Sequence, residues 1–316
     1  MLIPSLVSRL RRLLRWRLGA GMLALALVLP VQAGVVAVVL SDETAPYHET
    51  MEAIETALRP QHTVVRVQAD RLNANAPAMQ HANLQIAIGV KAADLLAAQS
   101  GGTPLLAVLV TEDWYRTRGG LKLSASGRNA GVVVLEQPFP RQLRLARLAF
   151  PKVSRLGAVV GRKNAGQLDE LRTVTEDHGF SLIGGVVESE ASLVTTLGRV
   201  LKEADLLLAV PDAEVLNRNT VQSVLMTTYR YRDPVLGYSK ALSRAGALVS
   251  LYTTPAQIGR QAGEIALRVL DGGKLPTMQW PRYFSVSVNE HVARSLGIEV
   301  PDEGALMDGL LKAGND

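Results

Sequence analysis

From position 34 onward, short continuous apolar runs alternate with longer stretches whose apolar residues recur every three or four positions. Runs at 34–40, 63–67, 84–88, 105–110 and 131–135 are rich in β-branched residues. They predict strands buried on both faces. Amphipathic stretches at 48–58, closed by Pro60, and at 92–99 predict helices between them. A second array repeats the scheme. It has helices at 140–150, 165–178, 191–203 and 217–230, with Pro151 and Gly179 as stops for the first two. Its strands are expected at 156–160, 182–187, 205–210, 235–238 and 247–252. Thr254-Pro255 then supplies a capping hydroxyl and a proline at the first helical position. Ile258, Ala262, Ile265, Ala266 and Val269 share one face of the helix that follows, which Gly272-Gly273 ends. A strand over 283–288 and a short helix over 289–296 come next, and the polar remainder is expected to fray. The alternation predicts a parallel α/β fold in two similar arrays.

The first 33 residues do not belong to that pattern. They hold Arg9, Arg11, Arg12, Arg15 and Arg17, no acid, and an apolar run of 13 residues from Leu18 to Pro30. Such a run is too short for the roughly 20 residues of a spanning helix. With small residues following, it predicts a cleavable signal peptide, cut near Ala33-Gly34. Arg11-Arg12 leaves general and twin-arginine export both open. Charge changes with the cut. The whole chain carries 34 basic and 29 acidic side chains, but the leader holds all five surplus cations, so the mature chain has 29 of each. A neutral chain with 4% aromatic residues lacks the electrostatic and stacking means for nucleic-acid binding. There is no cysteine, which excludes a lipid anchor at the cleavage point, thiolate metal sites and cysteine nucleophiles. The expected product is a soluble, unanchored monomer in the periplasm of a double-membraned cell.

Ligands of open parallel sheets sit beyond the carboxyl ends of strands. That rule selects Ser41, Asp42, Gly89, Val90 and Thr111 in the first array, and Gly161, Arg162, Asp212, Tyr238 and Ser239 in the second. Asp212 follows a buried strand and either accepts from a ligand donor or caps its own turn. Arg162 either clamps a carboxylate or stands solvated beside Lys163. Trp114 and Tyr115 either stack on a ligand or pack locally. Hydroxyls, a carboxylate or two and exposed backbone suit a small polar solute. They do not make a catalytic set. There is no Gly-x-Ser-x-Gly elbow, Walker loop or Gly-x-Gly-x-x-Gly turn, and the five histidines are scattered. No enzyme, cofactor or metal site is indicated.

The segment 205–212, then Val235-Leu-Gly-Tyr-Ser239, then 245–261, together with 283–289 and 292–297, resembles the ABC-transporter substrate-binding protein family of type I periplasmic-binding fold, the branch that includes tryptophan-binding proteins. Residues 136–143 fit its inter-lobe crossover. The resemblance implies two Rossmann-like lobes joined by three crossovers. The N-terminal lobe comprises 34–136 plus about 252–280, and the C-terminal lobe 137–251 plus about 281–316. It also implies closure on a ligand whose amino group faces Asp212, with Tyr238 and Ser239 beside it, and delivery to an inner-membrane ABC permease. The first lobe departs from the amino-acid-binding pattern, with Gly89-Val90-Lys91 where relatives show a Gly-Thr turn and Glu112-Asp113-Trp114 where they show Asp-Pro. Amino-acid specificity therefore does not follow. The alternative reading is an envelope module that senses a ligand, or serves as a scaffold, with a sensor kinase, cyclase or other membrane partner.

Overall fold

The computed structural model describes residues 33–73, 76–312 and 314. The expected leader lies outside these residues except for Ala33. Strands β1 (Val35–Leu40), β2 (Thr63–Gln68), β3 (Leu84–Ile88), β4 (Leu105–Val110) and β5 (Ala130–Val134) form an all-parallel sheet in the order β2-β1-β3-β4-β5. Side chains on both of its faces are buried, as continuous apolar runs require: Leu40, Ile86, Ile88 and Leu106 on one face, and Val39, Ala87 and Leu105 on the other, have no exposed surface. Burial of each such side chain contributes roughly 1.5–3 kcal/mol.

The second sheet has the order β11-β10-β9-β8-β6-β7, from β6 (Arg155–Gly161), β7 (Ser181–Val187), β8 (Leu206–Leu208), β9 (Val235–Gly237), β10 (Val249–Tyr252) and β11 (Ser285–Val288). Its first five strands repeat the order of the first sheet, and β11 adds an antiparallel edge. The fold is therefore α/β, with two lobes and two largely parallel, doubly wound sheets. β8 is shorter than the apolar run that encodes it. Ala209 and Val210 remain buried after the ladder ends, so apolarity outlasts pairing.

Chain order and lobe do not coincide. The helix Pro255–Leu270 follows β10 of the second sheet yet packs on the helix Ala45–Leu58 beside the first. Its start is fixed by Thr254, whose hydroxyl accepts from Gln257 N–H while the Gln257 side chain accepts from Thr254 N–H. Gly259 permits the contact: a Cβ there would lie 2.3 Å from the Thr50 carbonyl oxygen. The chain then runs beside β5, where Gln279 pairs with Val133, before it returns as β11.

The three crossovers are laced together. Gln137, on the first, donates to Thr253 on the second, whose hydroxyl donates to the Tyr283 carbonyl on the third at 3.2 Å. Arg141 is buried, donates to Gln137 and to the Pro281 carbonyl, and stacks over Phe284. Side chains thus tie the three linking segments to one another between the lobes.

Several elements differ from expectation, a short helix Ala76–Gln80 among them. The tail does not fray: Glu303–Lys312 is a helix with Leu306 and Leu310 buried against the helix Phe139–Ala149, and Glu303 accepts from Val288 N–H at 2.9 Å. Helical turns run from Glu112 to Ala125, and Trp114 is buried there with its indole N–H on Asp94. A helix Lys240–Ala245 follows β9.

Candidate functional site

The carboxyl ends of both sheets face one another across a cleft of about 1070 Å³. One wall comes from the first lobe: Thr111, Asp113 and Thr117 after β4, Leu135 and Glu136 after β5, and Glu49 from the helix Ala45–Leu58. The other comes from Lys163 and Asn164 after β6, Pro211–Glu214 and Leu216 after β8, Tyr238–Lys240 after β9, and Arg244. Tyr252, Thr253 and Thr254 line the hinge side.

Of the residues selected by the strand-end rule, Thr111, Asp212, Tyr238 and Ser239 line the cleft. A bulge in β4 turns the chain ahead of Thr111. The register slips between Ala107 and Val110, and Leu109 takes φ 56°, a conformation that costs a non-glycine residue about 1–3 kcal/mol. The Thr111 hydroxyl accepts from Trp114 N–H at 3.1 Å, and that of Ser239 accepts from Leu242 N–H at 3.0 Å, so each also starts a helical turn.

Asp212 is 3% exposed, and its carboxylate accepts three bonds. Oδ1 takes Glu214 N–H at 2.7 Å, while Oδ2 takes Gly161 N–H at 2.7 Å and the Asn164 amide at 2.9 Å. One carboxylate thereby holds the loops after β6 and β8 in register. Gly161 contributes its backbone N–H to that arrangement.

The remaining selected residues are turned to other tasks. Ser41 Oγ accepts from Ala92 N–H at 2.8 Å, in the first turn of the helix Val90–Ala97. Gly89 precedes that helix with φ 89°, and a Cβ would meet the Tyr47 ring at 2.6 Å. Val90 is its first residue. Asp42 accepts from Thr44 N–H at 2.8 Å. Arg162 is exposed and pairs with Glu188. None of these five lines the cleft.

The cleft also holds residues that the rule did not select. Glu136 is the most perturbed: burial pushes its carboxyl up to about 7, and the Glu112 N–H, which donates to Oε2 at 2.8 Å, only partly offsets this. The rule would have found it if extended to β5, because an acid follows that buried strand within two residues. Burial, then the charges of Asp212 and Glu136, raises the phenol of Tyr238, which places that ring in the field of both carboxylates. Lys163 pairs with Glu214 at 3.1 Å. Along the edge of the cleft, Arg116 of the first lobe grips both oxygens of Glu170 in the second at 3.0 Å and also bonds Glu112. Among the described residues no group of three or more His, Asp or Glu side chains could hold a metal ion, and no helix is long and apolar enough to cross a membrane.

The architecture has counterparts among solved structures. The ligand-free, open structure of CD0873, a substrate binding protein with adhesive properties from Clostridium difficile, superposes with a TM-score of 0.68 at 16% identity, over 85% of this chain and 96% of that one. A conserved domain protein from Vibrio cholerae gives 0.57 at 20% identity, covering 87% and 98%. The ABC domain in complex with L-Trp from Streptococcus pneumonia gives 0.55 at 16%, also covering 87% and 98%. At such identities these likenesses speak for the fold. No curated protein matches the chain by sequence. The family model described as ABC transporter substrate binding protein matches residues 34–307, nearly all of the two lobes and the cleft between them, and the chain belongs to that family.

Proposed function

We propose that the mature protein captures a small polar solute between its lobes in the periplasm and delivers it to an inner-membrane ABC permease. The observation that carries this reading is the cleft itself. Both lobes line it, and only three laced crossovers join them. A ligand that touches both walls favours the closed arrangement by its differential contacts. The hinge units on this reading are 34–136 plus about 252–280 and 137–251 plus about 281–316. Residues 1–33 serve as the export signal, leaving an unanchored monomer. Tyr238 and Ser239 offer a ring and hydroxyl to the ligand, and Thr111 faces them from the other lobe. Asp212 holds the shape of the wall and presents its remaining lone pair. On this reading the chemistry of the cleft is recognition rather than turnover.

Thermal unfolding in the presence of amino acids, purines, sugars and amines tests this directly. A ligand at 1,000 times its Kd adds about 4 kcal/mol of stability, a shift of several degrees. Substituting Tyr238 with Ala should abolish that shift, and because the ring also packs on the second-lobe core, the unliganded variant should melt at a somewhat lower temperature. The absence of a shift with any solute would count against capture and favour the scaffold role.

A further inference from the structure

We propose that Glu136 is the specificity-determining residue of the cleft and that the solute it selects carries a protonated nitrogen, an ammonium or guanidinium, presented to the hinge. The inference rests on the solute-capture reading above and names the chemical class of that ligand.

Glu136 closes β5 at the first crossover, where the two lobes meet, and lines the cleft. Its side chain is half-buried, and its partner at the cleft is neutral: Glu112 N–H donates to Oε2 at 2.8 Å, while loss of water dominates its electrostatics. Glu112, the charged side chain nearest in effect, is an acid and raises the cost of ionising Glu136. Arg116, the cation behind Glu112, is held by Glu112 and Glu170. In the other lobe Tyr238 also lines the cleft, and its phenol is raised by burial and then by the charges of Asp212 and Glu136. A carboxylate drawn partly out of water is costly to ionise, and a cationic ligand offsets that cost.

The balance of charge in the cleft agrees. Five carboxylates (Glu49, Asp113, Glu136, Asp212 and Glu214) and three cations (Lys163, Lys240 and Arg244) line it. Lys163 is taken up by Glu214, and Lys240 and Arg244 are exposed at the edge of the second lobe. The cleft that Glu136, Asp212 and Tyr238 line is therefore acidic and carries an aromatic ring, which suits a cation held by carboxylate and π-face together. Lys240 and Arg244 leave room for an acidic group at the opposite end of such a solute.

The proposal is tested on the full mature protein with agmatine, putrescine, arginine and lysine as probes, against neutral analogues (1,4-butanediol and citrulline) and neutral sugars. At least one cationic probe should stabilise the protein and bind calorimetrically, and its neutral analogue should bind at least about tenfold more weakly. Glu136→Gln should weaken the cationic probe by about tenfold to a hundredfold and leave the unliganded protein folded, because a half-buried amide replaces a half-buried carboxylate of the same shape. Glu136→Asp, which retains the charge, should recover part of the affinity. Binding should also release protons near pH 7, seen as a heat that varies with the ionisation enthalpy of the buffer. If a neutral sugar or citrulline binds and the cations do not, capture stands and the role of Glu136 falls. Equal affinity of Glu136→Gln for a cationic probe overturns it too. If no probe of any charge binds, the capture reading and this one fall together.

Discussion

The ion pair between Arg116 and Glu170 is a contact that the two lobes make with each other outside the hinge, so its loss should act on closure rather than on folding. Glu170→Gln is the cleaner perturbation, because it spares the Arg116–Glu112 pair on the same lobe. Both partners are close to half exposed, 48% and 45%. Solvent screening therefore limits the pair to the upper part of the surface range, about 0.5–1 kcal/mol, with its two parallel bonds placing it near the top. If the pair is intact only when the lobes approach, losing 1 kcal/mol lowers the ratio of closed to open molecules about fivefold. The melting temperature should hardly move, since each lobe keeps its own core. Fluorophores on the two lobes would report the mean separation by energy transfer, and small-angle scattering would give an independent radius. Both should show a more open ensemble for Glu170→Gln, and wild type should converge on it at about 1 M salt, where the screening length falls to about 3 Å. Combining it with Arg116→Gln should give little further opening. An unchanged separation at low salt, or additive effects of the two changes, would refute the idea that this pair closes the cleft.

Two other outcomes follow from packing and charge. Leu306→Ala removes a side chain that is 1% exposed beneath the C-terminal helix and should cost about 2–5 kcal/mol of second-lobe stability, read by chemical denaturation; a loss below about 1 kcal/mol would mean the helix does not dock as described. The folded carboxyl of Glu136 titrates at about 7, above its ordinary 4.5, so the native state binds the proton more tightly and stability should fall as pH rises from about 4.5 through 7. Glu136→Gln should remove up to about 3 kcal/mol of that decline between pH 5 and 8, leaving a smaller part to Asp233, which burial raises to about 6. An identical slope in the variant would exclude Glu136 as its source.

The strands were readable because each is a short, continuous apolar run, and burial on both faces leaves that imprint whatever the tertiary context. Helix Glu303–Lys312 left a weaker one: its buried stripe is little more than Leu306 and Leu310 among acids and glycines, and only the groove beside Phe139–Ala149 makes it helical. Within the cleft, Thr111, Asp212, Tyr238 and Ser239 were visible from the strand-end rule. Ser41 and Gly89 satisfy the same rule yet turn inward, because a neighbouring helix and the Tyr47 ring claim them. Such claims join residues about 50 positions apart, and no local pattern encodes them. Glu49 and Asp113 reach the cleft from helical segments, so their place depends on how one lobe is set against the other.

The passage of the chain through Pro255–Leu270 also sets an order of events. The first sheet is written by residue 134, yet the helix that covers it arrives only after the second lobe has been nearly spelled out. The second lobe in turn waits for β11 and Glu303–Lys312. During synthesis neither lobe can seal its core until almost the whole polypeptide is present, and contacts this distant in sequence form slowly. A chain built this way keeps both of its cores open until its last helix has been made.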